Sequence, residues 1–537
     1  MRVRTEDRRA ERSMEKMSSS GTSIRAASAI LAVLVTLVLA GVLRLDGLGE
    51  HPMHADEAVQ ATKFQTFLED GWFDYDPEEY HGPLPHYLLR AGLSLGGWID
   101  ERREKFNLNA GLLRLVPAVT GVVVVALVGW MAFSVWGPVG LFPALLLASV
   151  STSLVYYSRY FIAETFLLAS TCLFVSALAR FLAAEQPQDK DRRQVAGGKN
   201  VIFWGLLAGV GAGLMHASKE TCILSFAAAA VAGFAVYGAG RSQRRFLWVG
   251  VASGVFTSVA FYSDGFRHWP DVSESLTTYF RYLGRAGGGE GHNQPWWFYL
   301  QRYGWFRGGY VWSEVGVIAL GCSGFIAAWR RGNRSGKFFG LYGVILFCFY
   351  SVIPYKTPWS VLPAFIVCFP LAGGIFTLHR KRAGRLAWLV ILLIVSGHLV
   401  VQARRATHRM PTDPRNPYAY AHTSPAIFSL VDLVAEIDAL RGADTPLKLV
   451  IVDPGMGWPL PWYFRDRKEI FFRESFPKHP TAPLVIVAIN TLPDQGAGAA
   501  WQGYHEKLFG LRADLPLVFF IQEELWMALL EAREVAE

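Results

Sequence analysis

Charge is scarce in this chain: Asp, Glu, Lys and Arg make up 18% of its 537 residues, while 52% are hydrophobic. An ordinary water-soluble fold of this length carries more charge and less apolar surface, so that class is excluded. Cysteine is scarce too. The five present (Cys172, Cys222, Cys322, Cys348 and Cys368) all fall in apolar segments, without a Cys-x-x-Cys pair, so neither a disulfide frame nor a thiolate metal site is indicated. The Gly287-Gly288-Gly289 run lacks a following Gly-Lys-Ser/Thr, which excludes a nucleotide P-loop, and there is no His-Glu-x-x-His zinc motif. The net charge of +8 does not point to nucleic acid as a partner, because the basic residues sit in short runs between apolar segments and form no continuous stripe.

Long apolar runs are what the chain has instead. Crossing a bilayer takes about 20 apolar residues, and such stretches centre on residues 26–43, 112–133, 139–156, 162–182, 201–215, 221–237, 246–262, 310–329, 338–353, 359–378 and 386–401, about eleven in all. The expected fold class is a polytopic α-helical membrane protein with a small C-terminal soluble α/β domain. Residues 83–98 are short for a span and carry His86 and Arg90, so they are read as an interfacial helix. With that segment excluded, the basic clusters at 190–199, 241–245, 330–337 and 379–385 share a side with the N-terminal arginines, which the positive-inside rule makes the cytoplasm. Asn333-Arg334-Ser335, a glycosylation acceptor by pattern, then lies in a cytoplasmic loop.

The same count defines the domains. Residues 1–25 form a basic cytoplasmic N-terminus, followed by a retained anchor with no convincing cleavage site. The transmembrane domain runs over 26–403 with a large outer loop at 45–110, and 404–537 form an extracytoplasmic α/β domain. There the β-branched runs 447–452, 484–489 and 515–521 alternate with a helical pattern at 427–440. The localisation implied is multi-pass in the cytoplasmic membrane, with polar and reactive residues concentrated in the outer loops.

The densest of these is His51-Pro52-Met53-His54-Ala55-Asp56-Glu57, after the first span and before an amphipathic helix at 58–68. Acidic residues suit a helix N-terminus, so capping is one explanation. Yet Asp74, Asp76, Glu78, Glu79 and His81 crowd the same loop, and a carboxylate half out of water at the membrane boundary is suited to act as a general base. Arg159 and Glu164 flank another outer turn, where they pair with each other or line a cavity for an anion. Lys219 and Lys356, the latter followed by Trp359, bring further cations to outer loops. Trp296 and Trp297 fit an interfacial belt, or offer faces on which a sugar could stack. His51-x-x-His54-x-Asp56 has ligand types that suit zinc or manganese, but its spacing is weak, and no cofactor is expected.

Outside the cytoplasmic membrane nucleotide sugars are not supplied, so an outward-facing transferase needs a donor carried by the bilayer, such as a polyprenyl-phosphate-linked sugar. Inverting displacement at its anomeric carbon needs a base, Asp56 or Glu57, and cations for the departing phosphate, Arg159, Lys219 and Lys356. The strings His54-Ala55-Asp56-Glu57-Ala58, Tyr80-His81-Gly82-Pro83-Leu84, Ser158-Arg159-Tyr160-Phe161, Lys219-Glu220-Thr221, Lys356-Thr357-Pro358-Trp359, Asn416-Pro417-Tyr418 and Pro459-Leu460-Pro461-Trp462-Tyr463 extend over nearly the whole chain. Together with an acidic pair after the first span and two interfacial helices in the first outer loop, they resemble the GT-C superfamily of integral membrane glycosyltransferases, which includes protein O-mannosyltransferases and lipid A aminoarabinose transferase. Within it they are similar to the branch labelled flippase-activity-associated protein. The resemblance implies a catalytic acid at Asp56, with Glu57 as second candidate, and substrate contacts from His54, His81, Arg159, Glu164, Lys219, Lys356 and Trp359. The expected partners are a polyprenyl-phosphate-linked sugar, membrane lipids and an acceptor that is protein, lipid or glycan. The alternative function is a non-catalytic transporter or flippase component that handles lipid-linked sugars.

Overall fold

The structure, a computed structural model, describes residues 30–77, 81–99, 107–184, 193–238, 241–286, 292–379, 381–440, 447–455, 457–494 and 496–536. The basic N-terminus at 1–25, Glu78, Glu79 and the Gly287–Gly289 run lie outside the described residues.

Helix α1 (Ile30–Leu45) leads into α2 (Ala55–Asp70) and α3 (Leu84–Leu95). At 12 residues, α3 is about 18 Å long, too short to span, and it carries an apolar face with Leu84, Leu89 and Leu93 buried. The bundle continues with α4 (Ala110–Trp136), α5 (Pro138–Val150), α6 (Thr152–Tyr157), α7 (Ala163–Ala184), α8 (Arg193–His216), α9 (Cys222–Tyr237), α10 (Arg241–Tyr262) and α11 (Pro270–Ala286). After a short hairpin, β1 (Phe306–Gly308) with β2 (Tyr310–Trp312), come α12 (Val315–Arg330) and α13 (Arg334–Val352). A broken segment then holds α14 (Leu362–Phe365) and α15 (Cys368–Ala372), and α16 (Arg382–Arg404) follows. Among the described residues four helices are long and apolar enough to cross a membrane. The pair Pro358–Phe365 and Cys368–Thr377, bent by 41°, makes a broken fifth, and six shorter apolar helices accompany them. The chain is a multi-pass membrane protein.

Three expected spans differ in detail. The stretch 139–156 is interrupted at Ser151, where the buried Glu314 carboxylate accepts the Ser151 hydroxyl at 2.6 Å and the Ser153 amide at 2.8 Å, ending α5 and starting α6. The stretch 310–329 begins as strand β2, because Tyr310–Trp312 pair with Phe306–Gly308, and becomes helical only at Val315. The stretch 359–378 is a bent series of short turns, not one helix. Apolar composition is the same for a straight helix and a broken one, so periodicity does not separate them.

Helices α8 and α10 pack side by side through glycines four residues apart. A Cβ on Gly209 or Gly213 would collide with the backbone carbonyl of Gly250 or Gly254, the close approach that small residues permit between membrane helices.

Beyond α16 the chain forms α17 (Ala426–Ala439), β3 (Leu449–Val452), α18 (Leu460–Tyr463), β4 (Ile470–Arg473), β5 (Leu484–Ala488), β6 (Tyr504–Arg512), β7 (Leu515–Gln522) and α19 (Glu523–Ala536). The sheet order is β4-β3-β5-β7-β6. The first three strands are parallel, and β7 lies antiparallel between β5 and β6. Strands β3 and β5 are buried at every position, as a sheet covered on both faces requires. The expected runs at 447–452, 484–489 and 515–521 are thus strands of one small α/β domain. It docks on the first loop: Tyr463 Oη accepts the Met53 amide at 3.0 Å, the Thr423 hydroxyl donates to Met53 O at 2.7 Å, and Trp462 is buried among residues of α2 and α3.

Candidate functional site

The site begins with how α2 starts. His54 is the N-cap residue: its Nδ1 accepts the Asp56 amide at 3.1 Å, while the Glu57 carboxylate accepts the His54 amide at 3.3 Å, a reciprocal capping box. An Nδ1 that accepts carries no proton, so Nε2 holds it and donates to Tyr420 O at 3.1 Å. The helix that presents Asp56 is therefore clamped from the linker to the C-terminal domain.

The two acidic candidates, adjacent in sequence, have opposite surroundings. Glu57 has no exposed surface. Both its oxygens face Arg114 of α4 at 2.7 Å, and Oε1 also accepts the Phe161 amide at 3.0 Å. Arg114 spends its remaining donors on Leu48 O, His51 O and Pro52 O, so the buried pair is fully satisfied and ties the first loop to α4 and to the turn before α7. Asp56 has a side chain 59% exposed. Its Oδ1 lies 3.8 Å from His54 Nδ1.

Around His54 is an aromatic floor. Trp359, buried just after Lys356, meets the His54 ring edge-on at 5.7 Å, and Tyr420 lies 6.2 Å from Trp359. His422 lies 4.7 Å from His54. Its Nδ1 accepts the Tyr420 amide and its Nε2 pairs with Tyr156 Oη at 2.9 Å, and burial holds this ring well below the usual histidine range. His292 bonds Tyr420 Oη at 2.8 Å. Its pKa is lowered chiefly by burial, although the Asp56 charge nearby pulls the other way. The His292 carbonyl accepts the Lys356 amide, and the Lys356 ammonium donates to Gln294 O at 2.9 Å and Ile353 O at 2.5 Å. Loss of water lowers that ammonium from its ordinary value. Among the described residues it pairs with no carboxylate, which leaves its positive charge uncompensated.

The other expected cations are engaged. Arg159 is buried and donates to the carbonyls of Leu43 and Arg44 in the last turn of α1 and of Asp46 and Gly47 just beyond it, where a positive charge also suits the helix dipole. It does not pair with Glu164. That carboxylate holds the Lys219 ammonium instead; burial alone would lower Lys219, and contact with Glu164 raises it above its usual value. His81 Nδ1 meets Glu220 at 3.0 Å, and this carboxylate, though buried, is held below its usual range by the histidine. Gly82 is required beside it, since a Cβ there would strike the Ala217 carbonyl. These pairs draw the first loop, the turns before α7 and α9, and the segments at 292–294 and 353–356 together on one side of the bundle. His51 turns away from His54: Nδ1 contacts Pro52 O and the ring packs on Tyr160, so the two histidines and Asp56 do not converge as ligands. Among the described residues no three His, Cys, Asp or Glu side chains gather for a metal.

Above α2 opens a cavity of about 440 Å³, lined by Ala55, Asp56 and Val59 on one side and by Asp453, Gly455, Trp458, Asn490, Arg512, Asp514 and Leu515 of the C-terminal domain on the other.

Residues 57–258 match the model of the family described as dolichyl-phosphate-mannose-protein mannosyltransferase. No curated protein matches the chain by sequence. Among solved structures, apo ArnT from Cupriavidus metallidurans superposes with a TM-score of 0.58 at 15% identity, over 94% of this chain and 99% of that one. Its form bound to undecaprenyl phosphate gives 0.58 at 14% identity, over 93% and 99%. The archaeal oligosaccharyltransferase AglB from Archaeoglobus fulgidus, in complex with an inhibitory peptide and a dolichol-phosphate, gives 0.52 at 10% identity, over 94% of this chain and 77% of that one.

The chain shares the fold of these solved membrane proteins. Within this fold the first-loop acidic pair, both loop helices and the C-terminal sheet domain have the arrangement read from the sequence. Several residues that shape the site were not read from the sequence. Arg44 caps α5 through Ala148 O and Ser149 O, Glu314 organises α6 and accepts the Tyr418 hydroxyl at 3.0 Å, and His292, Tyr420 and His422 frame His54. An arginine directly after the first apolar run and a lone glutamate near the start of another were the available signals, since charges at membrane helices are kept for a reason.

Proposed function

We propose that this chain is an integral-membrane glycosyltransferase that moves a sugar from a polyprenyl-phosphate-linked donor to an acceptor at the extracytoplasmic face of the cytoplasmic membrane, with Asp56 as general base. The observation that carries this is the contrast within the acidic pair: Glu57 is committed to Arg114, whereas Asp56 stands exposed at a cavity rim on a rigidly clamped helix start. The acceptor oxygen attacks the anomeric carbon from the face opposite the phosphate. The new C–O bond forms as the bond to phosphate breaks, the polyprenyl phosphate leaves with the electron pair, and the acceptor proton passes to Asp56. The configuration at that carbon inverts. Similar solved structures bind undecaprenyl phosphate and dolichol-phosphate, which supports this class of donor. For the phosphate we assign Lys356, whose ammonium meets carbonyls only, and for the sugar His54 and Trp359, whose rings meet edge-on at 5.7 Å. Arg159, Lys219, Glu164 and His81 hold the loops that carry these groups.

Replacing Asp56 by Asn and assaying transfer from a lipid-linked sugar in membranes tests this. A general base contributes about 10²- to 10⁴-fold, so transfer falls by that factor while the protein stays folded. Undiminished transfer removes the proposed base. Movement of the lipid across the bilayer without any transfer, in wild type, would favour the transport alternative.

A further inference from the structure

The cavity rim opposite Asp56 is an edge of the C-terminal sheet that the transfer step leaves unused. Asp453 follows β3, Asn490 comes after β5, Arg512 closes β6, and Asp514 lies in the turn before β7. Because β3 and β5 are parallel and β7 runs antiparallel beside β5, these positions share the edge at the carboxyl ends of the parallel strands. In open α/β sheets that edge is where ligands bind. The volume of about 440 Å³ falls within the roughly 300–1,000 Å³ typical of small-molecule sites.

The lining narrows the ligand class. Asp56, Asp453 and Asp514 place three carboxylates against one guanidinium, Arg512, so a phosphorylated or carboxylated ligand would meet net repulsion. An apolar ligand would strip these groups of water without replacing it. A neutral, hydroxyl-rich ligand suits the whole set: its hydroxyls donate to carboxylates and accept from Arg512 and Asn490, while the Trp458 indole offers a face for sugar C–H groups. Two details fit. Arg512 Nε is buried yet has no hydrogen-bond partner among the described residues, standing 4.0 Å from Asp514 Oδ1. Asp453 Oδ2 accepts the Gly457 amide at 2.7 Å, and the positive φ of Gly457, +67°, turns the loop that carries Trp458. His292 feels the charges of both Asp56 and Asp514, so the two walls act on one space.

We propose that this sheet edge is the acceptor subsite and that the acceptor is a carbohydrate, with its reacting hydroxyl presented to Asp56. This rests on the transferase function proposed above. The test uses the full chain in lipid nanodiscs. Saturation-transfer NMR is recorded with short neutral oligosaccharides of mannose, glucose and galactose, alongside binding of undecaprenyl phosphate to the same samples. At least one oligosaccharide is expected to receive saturation, and Asp514→Asn and Trp458→Ala weaken its binding by roughly tenfold, the loss of one charge-assisted hydrogen bond or its equivalent, with undecaprenyl phosphate binding unchanged. Asp514 has a side chain 78% exposed, so its variant retains the fold even where the tryptophan variant does not. Saturation of no oligosaccharide, or equal binding by wild type and Asp514→Asn, overturns the subsite. Failure of the wild type to bind undecaprenyl phosphate overturns the transferase reading, and the acceptor role with it, even where an oligosaccharide binds.

Discussion

Asp56 and Glu57 differ by one position and by almost everything that matters to a proton. Glu57 faces inward, where a buried carboxylate without a partner would be costly, and Arg114 answers it with two bonds at 2.7 Å. Arg114→Met therefore leaves an uncompensated buried charge and should destabilise the protein by about 3–5 kcal/mol, read as a large drop in melting temperature in detergent. Asp56→Asn, at an exposed position, should leave the melt within about 0.5 kcal/mol of wild type. A second expectation concerns acid. His51, His86 and His422 are buried, and loss of water lowers all three, His86 to about 3 and the others well below their usual value. Their folded-state pKa lies under the unfolded value, so as pH falls below about 6.5 the unfolded chain takes up protons first. Stability is full above that pH and declines towards pH 4, by up to roughly 1.4 kcal/mol per histidine per pH unit. Melting curves over pH 4–8 check this, and His86→Phe, among Phe64, Phe73 and Phe161, should flatten the decline.

Among the helices, the contact between α8 and α10 depends on glycine. Gly209→Leu places a side chain where the Gly250 backbone already lies, so the two helices must part; the expected outcome is poor membrane yield and a lower melting temperature, with Gly209→Ala milder. Equal behaviour of Gly209→Leu and wild type would mean the contact is dispensable. The two loop helices and the C-terminal strands were visible in the sequence, because local pattern determines each of them, whereas the glycine contact was not read there. Nor were the breaks at Ser151 and after Trp359. The first is held by a group far along the chain, Glu314 reaching back 163 residues to Ser151, and no local pattern encodes such a partner. The same limit applies to the site. Asp56 is legible because acidic residues cluster at one loop, but the engagement of Arg159 by the end of α1, and of Lys219 by Glu164, depends on which neighbours arrive in three dimensions.

At the scale of the whole molecule, the C-terminal domain is a structural partner of the first loop. Tyr463→Phe removes the acceptor of the Met53 amide, a partly buried pair, and should cost about 1–3 kcal/mol. Thermal melting with hydrogen exchange at Met53 measures it; unchanged protection would show that the contact carries no weight. Cutting the chain at Asp413 removes Tyr420, Thr423 and Tyr463 together, so loss of activity in that truncation reports on the clamp as much as on acceptor binding. Point changes along the sheet edge are the cleaner probe. The bond from His54 to the carbonyl of Tyr420 joins positions 366 residues apart. During synthesis the loop holding the proposed base leaves the ribosome long before its clasp exists. Until residue 420 emerges the nascent chain lacks that fastening, and the start of α2 is held only by contacts made nearer in sequence, such as Glu57 with Arg114.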